Sequence, residues 1–307
     1  MRAEHKQYVA ERKDPKKMFA KVNKEALMWV LLIPTVLMFT YTQWAPVCKG
    51  IWTSFFKTKG YEAIAFCGLE NYKNVLTDTL FLTTLINTVK YVMYSLLIGF
   101  VPSIVLALFI NEIVHGKAAF RIITYIPNVA PTLAVSIIWA CLLNPAPNGL
   151  LNSILGVFGV APQQWLLNAN MTIPLIIISM TWQSCAGNSL IYLSALQSVS
   201  QDLYEAAVID GAGIWRRLFK ITLPQISPTI LLLFVRQIIN IFQIMEQPLV
   251  MTDGGPNNMS LSLNLSAYKM AFSYMQVGRA LALGTVSFFI LIVITVFYFR
   301  LNKKISE

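Results

Sequence analysis

The sequence predicts an all-α, multi-pass integral membrane protein with six transmembrane helices. Of its 307 residues, 56 % are hydrophobic and only 12 % are charged, whereas a soluble domain carries roughly 25 % charged residues. The mean hydropathy is +0.60. The apolar runs are also long and continuous, as helical spans of about 20 residues require, and they are too long for transmembrane strands.

Six apolar runs are long enough to cross a bilayer. The first is 26–47, "ALMWVLLIPTVLMFTYTQWAPV". The other five lie at about 88–111, 119–143, 172–196, 227–250 and 278–300. Between them, 48–87 is expected to form an external loop with a surface helix. The uncharged, apolar connection 144–171 is expected to lie in the external interface or to pack against the spans.

The net charge of +10 is interpreted as topology, not as a sign of a nucleic-acid partner. Lys and Arg concentrate in the loops on the cytoplasmic side of a membrane. Sixteen of them fall in one set of connections and termini, against six in the other set, with Lys90 and Arg236 inside spans. Both termini are therefore predicted to be cytoplasmic, as tails 1–25 and 301–307.

The cysteines and histidines indicate no metal site. Cys48, Cys67, Cys141 and Cys185 form no CxxC pair, and the two histidines, His5 and His115, are far apart in the sequence. Free thiols in small hydrophobic roles explain the cysteines. Cys48 and Cys67 fall in one predicted external loop, so a disulfide between them is left open.

One predicted cytoplasmic loop, "SQDLYEAAVIDGAGIWRRLFKITLP", has the pattern of two short helices. Ser200 can cap the first helix, which carries carboxylates near its positive end. Gly211 and Gly213 are expected to end or bend this helix. The second helix, "IWRRLFKI", is basic, and Pro224 is expected to prevent its continuation into the fifth span. A rigid protruding segment of this kind, connected to two spans, can transmit a displacement by a partner to both of them.

The same loop carries a specific motif: E-A-A, three residues, G, nine residues, and I-x-L-P. The matching residues are Glu205, Ala206, Ala207, Gly211, Ile221, Leu223 and Pro224. This pattern resembles the signature of permease subunits of ATP-binding-cassette (ABC) importers, in which the segment is a coupling helix that docks on a cytoplasmic ATPase. The carboxylates of Glu205 and Asp210 are then expected to pair with a basic residue of the ATPase. The resemblance implies that the ATPase uses ATP and Mg²⁺ and that this chain binds no cofactor.

Further segments, among them "GLENYKNVL" and above all "MTDGGPNNMS", resemble the carbohydrate-type (maltose-type first) permeases. One departure is Ser200, where that family commonly has proline. The resemblance implies a type I importer (MetI-like) fold in a prokaryotic plasma (inner) membrane. It also implies a heterodimer with a second permease, two ATPase subunits and an extracytoplasmic solute-binding protein that docks on 48–85, 144–171 and 252–277. The implied substrate is an oligosaccharide or glycoside, with glycerol-phosphate compounds as the alternative.

Two polar stripes cross the predicted fourth and fifth spans. Residues three or four apart share one face of a helix, and neutral amides, hydroxyls and aromatic rings suit sugars. The stripes and their neighbours are Thr181, Trp182, Gln183, Ser184, Asn188 and Tyr192 in the fourth span, and Arg236, Asn240, Gln243, Glu246 and Gln247 in the fifth. They are candidates for a substrate path, although hydrogen bonds between helices would explain them as well.

Two other classes of function are weighed against an importer subunit. An ion-gradient transporter or a channel would need a relay of buried carboxylates, and only Glu246 qualifies. A membrane-embedded enzyme would need clustered His, Asp or Glu, and the sequence predicts no catalytic residue. The chain also has no G-x-x-x-x-G-K-[ST] loop, so energy for transport has to come from a separate ATPase.

Overall fold

The computed structural model describes residues 28–113 and 115–306, with side chains up to Arg300. The chain divides between Thr53 and Ser54 into two compact units. The predicted tail 1–25 lies outside this description, whereas the backbone of 301–306 continues the last helix. The described part of the first unit is one helix, α1 (Met28–Thr53), whose side chains from Met28 to Lys49 are all exposed.

The second unit is mostly helical. Its twelve described helices are α2 (Glu70–Thr77), α3 (Thr79–Glu112), α4 (Lys117–Val129), α5 (Thr132–Leu142), α6 (Leu150–Val157), α7 (Ala169–Gln197), α8 (Gln201–Ile209), α9 (Ile214–Gln225), α10 (Ser227–Phe242), α11 (Glu246–Thr252), α12 (Leu263–Tyr268) and α13 (Val277–Ser306). A short 3₁₀ turn, Trp165–Leu167, precedes α7. The helix α3 begins at Thr79, earlier than the predicted start at about 88.

A small hairpin interrupts the all-helical pattern. Strands β1 (Phe56–Lys59) and β2 (Glu62–Phe66) pair antiparallel in the region expected to be an external loop. Asn71, on α2, donates hydrogen bonds to the carbonyl oxygens of Ser54 (2.9 Å) and Phe56 (2.8 Å). The surface helix expected here is thus α2, and it is tied to the hairpin.

Three π-helical turns each end two residues before a proline. They are Thr40–Trp44, Ser95–Phe100 and Leu218–Thr222, followed by Pro46, Pro102 and Pro224. Proline has no N–H for the carbonyl four residues earlier and its ring crowds that carbonyl. A wider turn accommodates this defect without ending the helix. Pro224 itself lies inside α9, and the expected separation from the fifth span comes two residues later, at Ile226, where α9 and α10 meet at a bend.

Two predicted spans are bent. The segment predicted as one span over 119–143 consists of α4 and α5, which meet at 91° around Ala130 and Pro131. Proline disfavours helical geometry in the residue before it, and Ala130 is extended, with ψ 141°. A second bend, of 69°, separates α9 from α10. The predicted fifth span, 227–250, is also broken, because α10 ends at Phe242 and α11 begins at Glu246.

The core of the second unit is built around α7. This helix packs along α3 and α4 and also contacts α5 and α10. Its buried Ile176 and Ile177 join Tyr91 and Ile241 in one apolar cluster. A second cluster lies near the other end of α7 and a third joins α13 to α2 and α12. Apolar packing against α7 therefore positions the helices that surround its centre.

The number of spans remains a prediction. Among the described residues, three helices are long and apolar enough to cross a membrane, α1, α3 and the part of α13 up to Arg300, and up to five if each bent pair counts as one span. The helix α7 is more polar, but its 29 residues extend about 43 Å at 1.5 Å per residue. That length exceeds the roughly 30 Å of a hydrocarbon core.

Candidate functional site: a paired-helix segment and a central cavity

Residues 200–225, here called the paired-helix segment, form α8 and α9. The hydroxyl of Ser200 accepts a hydrogen bond from the backbone N–H of Asp202 (3.3 Å), as expected for an N-cap. The Tyr204 and Thr222 hydroxyls lie 3.0 Å apart and join the two helices. The predicted arrangement of two short helices joined at glycine is confirmed.

The connection between the two helices requires a left-handed backbone conformation at Gly211. Its φ is +71°, and its N–H donates to the carbonyl of Val208 (3.0 Å) while that of Ala212 donates to Ala207 (2.8 Å). This pair of bonds is the Schellman ending of a helix, in which the left-handed residue is usually glycine. A Cβ at Gly211 would meet no atom within 4 Å. Backbone conformation, rather than a close approach, is therefore the reason for glycine here.

The segment presents most of its motif residues to solvent. Glu205, Ala206, Asp210, Gly211 and Pro224 are exposed, and Ile221 and Leu223 are half-buried. Ala207 is turned inward, with 8 % of its surface exposed. Several large apolar side chains are also exposed: Val208, Ile209, Ile214, Trp215 and Phe219. An exposed apolar surface of this kind is a mark of a binding site or membrane contact.

A cavity of about 360 Å³ lies beside the centre of α7. Polar side chains from four helices face it: Ser95, Tyr125, Asn128, Thr181, Ser184, Asn188, Arg236, Gln237 and Asn240. Two glycines allow the close approach that forms it. A Cβ on Gly187 would lie 2.5 Å from the amide oxygen of Asn128, and one on Gly99 would lie 3.1 Å from the Thr181 hydroxyl.

The cavity unites part of the two predicted stripes. Thr181, Ser184 and Asn188 from α7 line it together with Asn240 and Arg236 from α10. The hydroxyls of Thr181 and Ser184 also donate to the carbonyls of Ile177 (2.8 Å) and Met180 (2.9 Å), which is a local helix contact. The amides and Arg236 are therefore the groups most available to a ligand.

The other stripe residues do not line this cavity. Gln183 donates to the Ala130 carbonyl (2.9 Å) at the bend between α4 and α5. Trp182 is half exposed and lies edge-on to Trp139. Tyr192 is 1 % exposed and packs in the apolar cluster with Leu193 and Leu233.

The single stripe expected along the fifth span is wrong, because the helix is interrupted. Gln243 follows the last residue of α10, and its backbone carbonyl accepts a bond from the Asn264 amide (2.9 Å). Glu246 and Gln247 belong to α11, after a break at which Met245 has φ −144°. Side chains on different helices do not share the helical periodicity that the prediction assumed.

Sequence reasoning missed four polar cavity residues, Ser95, Tyr125, Asn128 and Gln237. Tyr125 and Asn128 flank Pro127 in α4, a segment that the sequence presented as an ordinary apolar span. Gln237 directly follows Arg236 and was a visible signal, since a polar pair in mid-span is costly unless it faces a cavity or another helix.

The connection after α11, residues 252–262 and here called the GGP loop, is largely turned inward. Asn87 of α3 donates to the carbonyls of Asn258 (2.7 Å) and Leu261 (3.1 Å). The Tyr91 hydroxyl donates to the carbonyl of Ser260 (2.9 Å). Gly254 has φ +82°, and a Cβ there would lie 2.9 Å from Leu261. The loop that carries the "TDGGP" motif is therefore fastened to α3 through the carbonyls of residues 258–261.

The thiols show no pairing. Cys48 and Cys67 are both free, as are Cys141 and Cys185. Cys67 instead contacts the carbonyl of Phe55 at 3.3 Å. Among the described residues, no group of His, Cys, Asp and Glu could hold a metal ion.

Comparison with protein families decides what this arrangement is. Residues 91–307, more than half of the chain, match the family described as "Binding-protein-dependent transport system inner membrane component". The chain belongs to this family. The predicted identity as an ABC importer permease, a membrane protein, is confirmed. The family is one of transport components rather than enzymes.

Similar family members include transport permeases from several organisms. The arabinooligosaccharides permease AraP of Bacillus subtilis is 29 % identical, over 91 % of this chain and 90 % of that protein. The trehalose/maltose permease MalF of Thermococcus litoralis is 28 % identical, over 92 % and 96 %. The sulfoquinovosyl glycerol permease SmoG of Agrobacterium fabrum is 30 % identical, over 89 % of each chain.

The fold is that of a solved importer. The structure of a bacterial ABC transporter that imports the acidic polysaccharide alginate matches with a TM-score of 0.83 and 25 % identity. The match covers 95 % of this permease and all of that chain. The predicted importer-permease fold is confirmed, with the β-hairpin as an addition to the all-α class.

Proposed function

We propose that this permease forms part of the translocation path of an ATP-driven importer for an oligosaccharide or glycoside. The named cargoes of its relatives support this substrate class: arabinooligosaccharides, trehalose and maltose, and sulfoquinovosyl glycerol. A relative named for sn-glycerol-3-phosphate, UgpA of Escherichia coli, is 29 % identical over 88 % of this chain. The glycerol-phosphate alternative therefore stays open.

The proposed assembly is a heterodimer with a second permease, two ATPase subunits and an extracytoplasmic solute-binding protein. A solved relative is an alginate transporter in complex with its substrate-bound periplasmic protein, which supports the last of these partners. Both termini and the paired-helix segment are placed in the cytoplasm, on the distribution of Lys and Arg in the sequence.

The observation that carries the proposal is the exposed surface of the paired-helix segment. Its Schellman ending and the Tyr204–Thr222 contact fix two short helices against each other. Its outer surface combines Glu205 and Asp210 with large exposed apolar side chains such as Ile209. Such a surface can enter an ATPase cleft, where the carboxylates meet a basic residue.

A movement of the docked segment can reach the cavity through the bend at Ile226. The helix α9 continues through Pro224 and meets α10 at 69°, and Ile226 is buried with Leu233 in one apolar cluster. A displacement of α9 therefore acts on the end of α10. The opposite half of α10 carries Arg236, Gln237 and Asn240 into the cavity, so one rigid helix links the docking surface to the proposed path.

The cavity is the proposed contact of this subunit with the sugar. Amides of Asn128, Asn188, Gln237 and Asn240 offer both donors and acceptors, which match the hydroxyl groups of a carbohydrate. The second permease would complete the wall, because one chain supplies only one side of such a path.

The test is ATP-dependent uptake by the complete complex in proteoliposomes that contain ATP and Mg²⁺. Affinity purification through this chain should recover an ATPase and a second permease. Uptake of carbohydrate should need both internal ATP and the external binding protein. Uptake that runs on an ion gradient without ATP, or a transport-competent homodimer of this chain, would contradict the proposal.

A further inference from the structure

Arg236 is the one charged side chain among the residues that line the central cavity. It lies in the second half of α10, next to Gln237 and one turn before Asn240. The guanidinium is exposed, and among the described residues it makes no hydrogen bond or ion pair. An arginine at this depth in a membrane protein is costly and faces a cavity, a partner or a substrate path.

The cavity holds no carboxylate that could neutralise this charge. Glu246, the acid of the predicted fifth span, lies on α11 beyond the break in the helix and does not line the cavity. The other lining groups are neutral amides, hydroxyls and apolar side chains. The lining that this chain supplies is therefore electropositive, which attracts an anion.

Together with its neighbours, Arg236 forms a site that combines one cation with neutral amides. Asn240 follows on the same face of α10, and Asn188 lies opposite on α7. A guanidinium binds an oxyanion through two parallel N–H donors, while amides bind hydroxyl groups. A molecule with hydroxyl groups and one oxyanion group matches both halves of the site, whereas a neutral sugar supplies no negative charge for the guanidinium.

We propose that Arg236 makes this permease selective for carbohydrates that carry an acidic group, and that the guanidinium binds that group in the central cavity. The inference rests on the proposed function, because it names the substrate class of that same path. Carboxylated sugars and phosphorylated polyols share the required chemistry, and the test separates them.

The experiment measures uptake by the complete complex with its binding protein in proteoliposomes. The probes are trigalacturonate, glycerol 3-phosphate and neutral maltotriose. The variants are Arg236→Gln, which removes the charge, and Arg236→Lys, which keeps the charge but not the two-pronged donor geometry. The matched control is Lys90→Gln, which removes a cation from α3 at a position outside the cavity.

We expect the wild-type complex to transport one of the two acidic probes in preference to maltotriose. Arg236→Gln should lower that uptake more than tenfold, Arg236→Lys should lower it less, and Lys90→Gln should leave it unchanged. Stimulation of the ATPase by the loaded binding protein should persist in Arg236→Gln, which shows that the complex is still assembled.

Other outcomes overturn the inference. Preferential uptake of maltotriose, unaffected by Arg236→Gln, would overturn the acidic specificity and leave the proposed carbohydrate function standing. An equal loss of neutral and acidic uptake would assign Arg236 to assembly, for example by pairing with an acid of the second permease. Uptake of none of the three probes, under conditions in which another class of solute is transported, would overturn the proposed function itself.

Discussion

The paired-helix segment and the GGP loop are both short connections rich in glycine and proline, yet the chain uses them in opposite ways. The first exposes Glu205, Asp210 and Ile209 and is held mainly by its own bonds. The second buries Ser260 completely and receives hydrogen bonds from Asn87 and Tyr91 of α3. The difference shows that a glycine- and proline-rich motif can mark either an exposed surface available to a partner or a loop that is hydrogen-bonded into the fold.

The contrast also limits how far the GGP loop can serve as a docking surface. Sequence reasoning placed the binding protein on 48–85, 144–171 and 252–277 together. Within 252–277, Ser260–Leu263 is buried, and the exposed positions are Asp253, Asn257, Asn258, Asn264 and residues 272–276. The exposed positions of 252–277, rather than its buried turn, are the ones available to a binding protein, and such docking stays a prediction.

The largest expected effect is in the paired-helix segment. Gly211→Leu should lower uptake more than tenfold, because it forces a branched side chain into a left-handed backbone, at about 1–2 kcal/mol, and adds bulk to the docking surface. The thermal midpoint should fall only by what this backbone strain accounts for, since no atom lies within 4 Å of the new Cβ to add a clash. Uptake and the melting curve of the purified complex check this.

The matched control is Gly211→Asn, because asparagine is the non-glycine residue that most readily adopts this backbone. It should retain most of the uptake. If the leucine variant transported at the wild-type rate, the paired-helix segment would not be a coupling element.

The sequence was most informative where local chemistry decides the structure. Ser200, the E-A-A residues and Gly211 predicted the capped helix and its glycine ending, and these lie where expected. The long apolar runs predicted helices for a similar reason. In each case the deciding interaction lies within a few residues along the chain.

The sequence was least informative where tertiary packing decides. The breaks at Ala130 and Met245 separate residues that a continuous helix would have placed on one face. Proline marked the first of these breaks, but Pro127 lies inside α4, so proline alone does not specify the outcome. The cavity residues Tyr125 and Asn128 could not be predicted, because they depend on how α4 packs against α7.

The second-largest expected effect is a loss of stability when the contacts of the GGP loop with α3 are removed. Asn87→Leu removes two donors and leaves the carbonyls of Asn258 and Leu261 without these partners. The Asn258 carbonyl still accepts from the Leu261 N–H (3.2 Å), whereas the Leu261 carbonyl belongs to a buried residue. A buried group left unpaired costs about 1–3 kcal/mol, so the thermal midpoint should fall clearly. Asn170→Leu, at an exposed position in the first turn of α7, is the control and should leave it unchanged. An unchanged midpoint for Asn87→Leu would contradict the fastening role of the loop.

The smallest expected effect is at the hairpin, where Lys57 and Glu70 form an exposed ion pair at 2.9 Å. The hydrogen bond to Glu70 and its charge raise the pKa of Lys57 above its ordinary value of 10.5. A raised pKa of a cation stabilises the fold below the ordinary value and ceases to do so as pH rises past the raised one. Lys57→Ala should therefore shift the midpoint little, and equally at pH 6 and pH 8. A large or pH-dependent shift in this range would show that the pair is more than a surface contact.

The central claim is that the outer surface of the paired-helix segment docks on the ATPase, and site-specific cross-linking tests it most directly. A photoreactive amino acid is placed in the assembled complex at Ala206, which is exposed, or at Ala207, which is 8 % exposed. The account predicts an adduct with the ATPase from position 206 and much less from position 207. No ATPase adduct from position 206, in a complex that still transports, would contradict it.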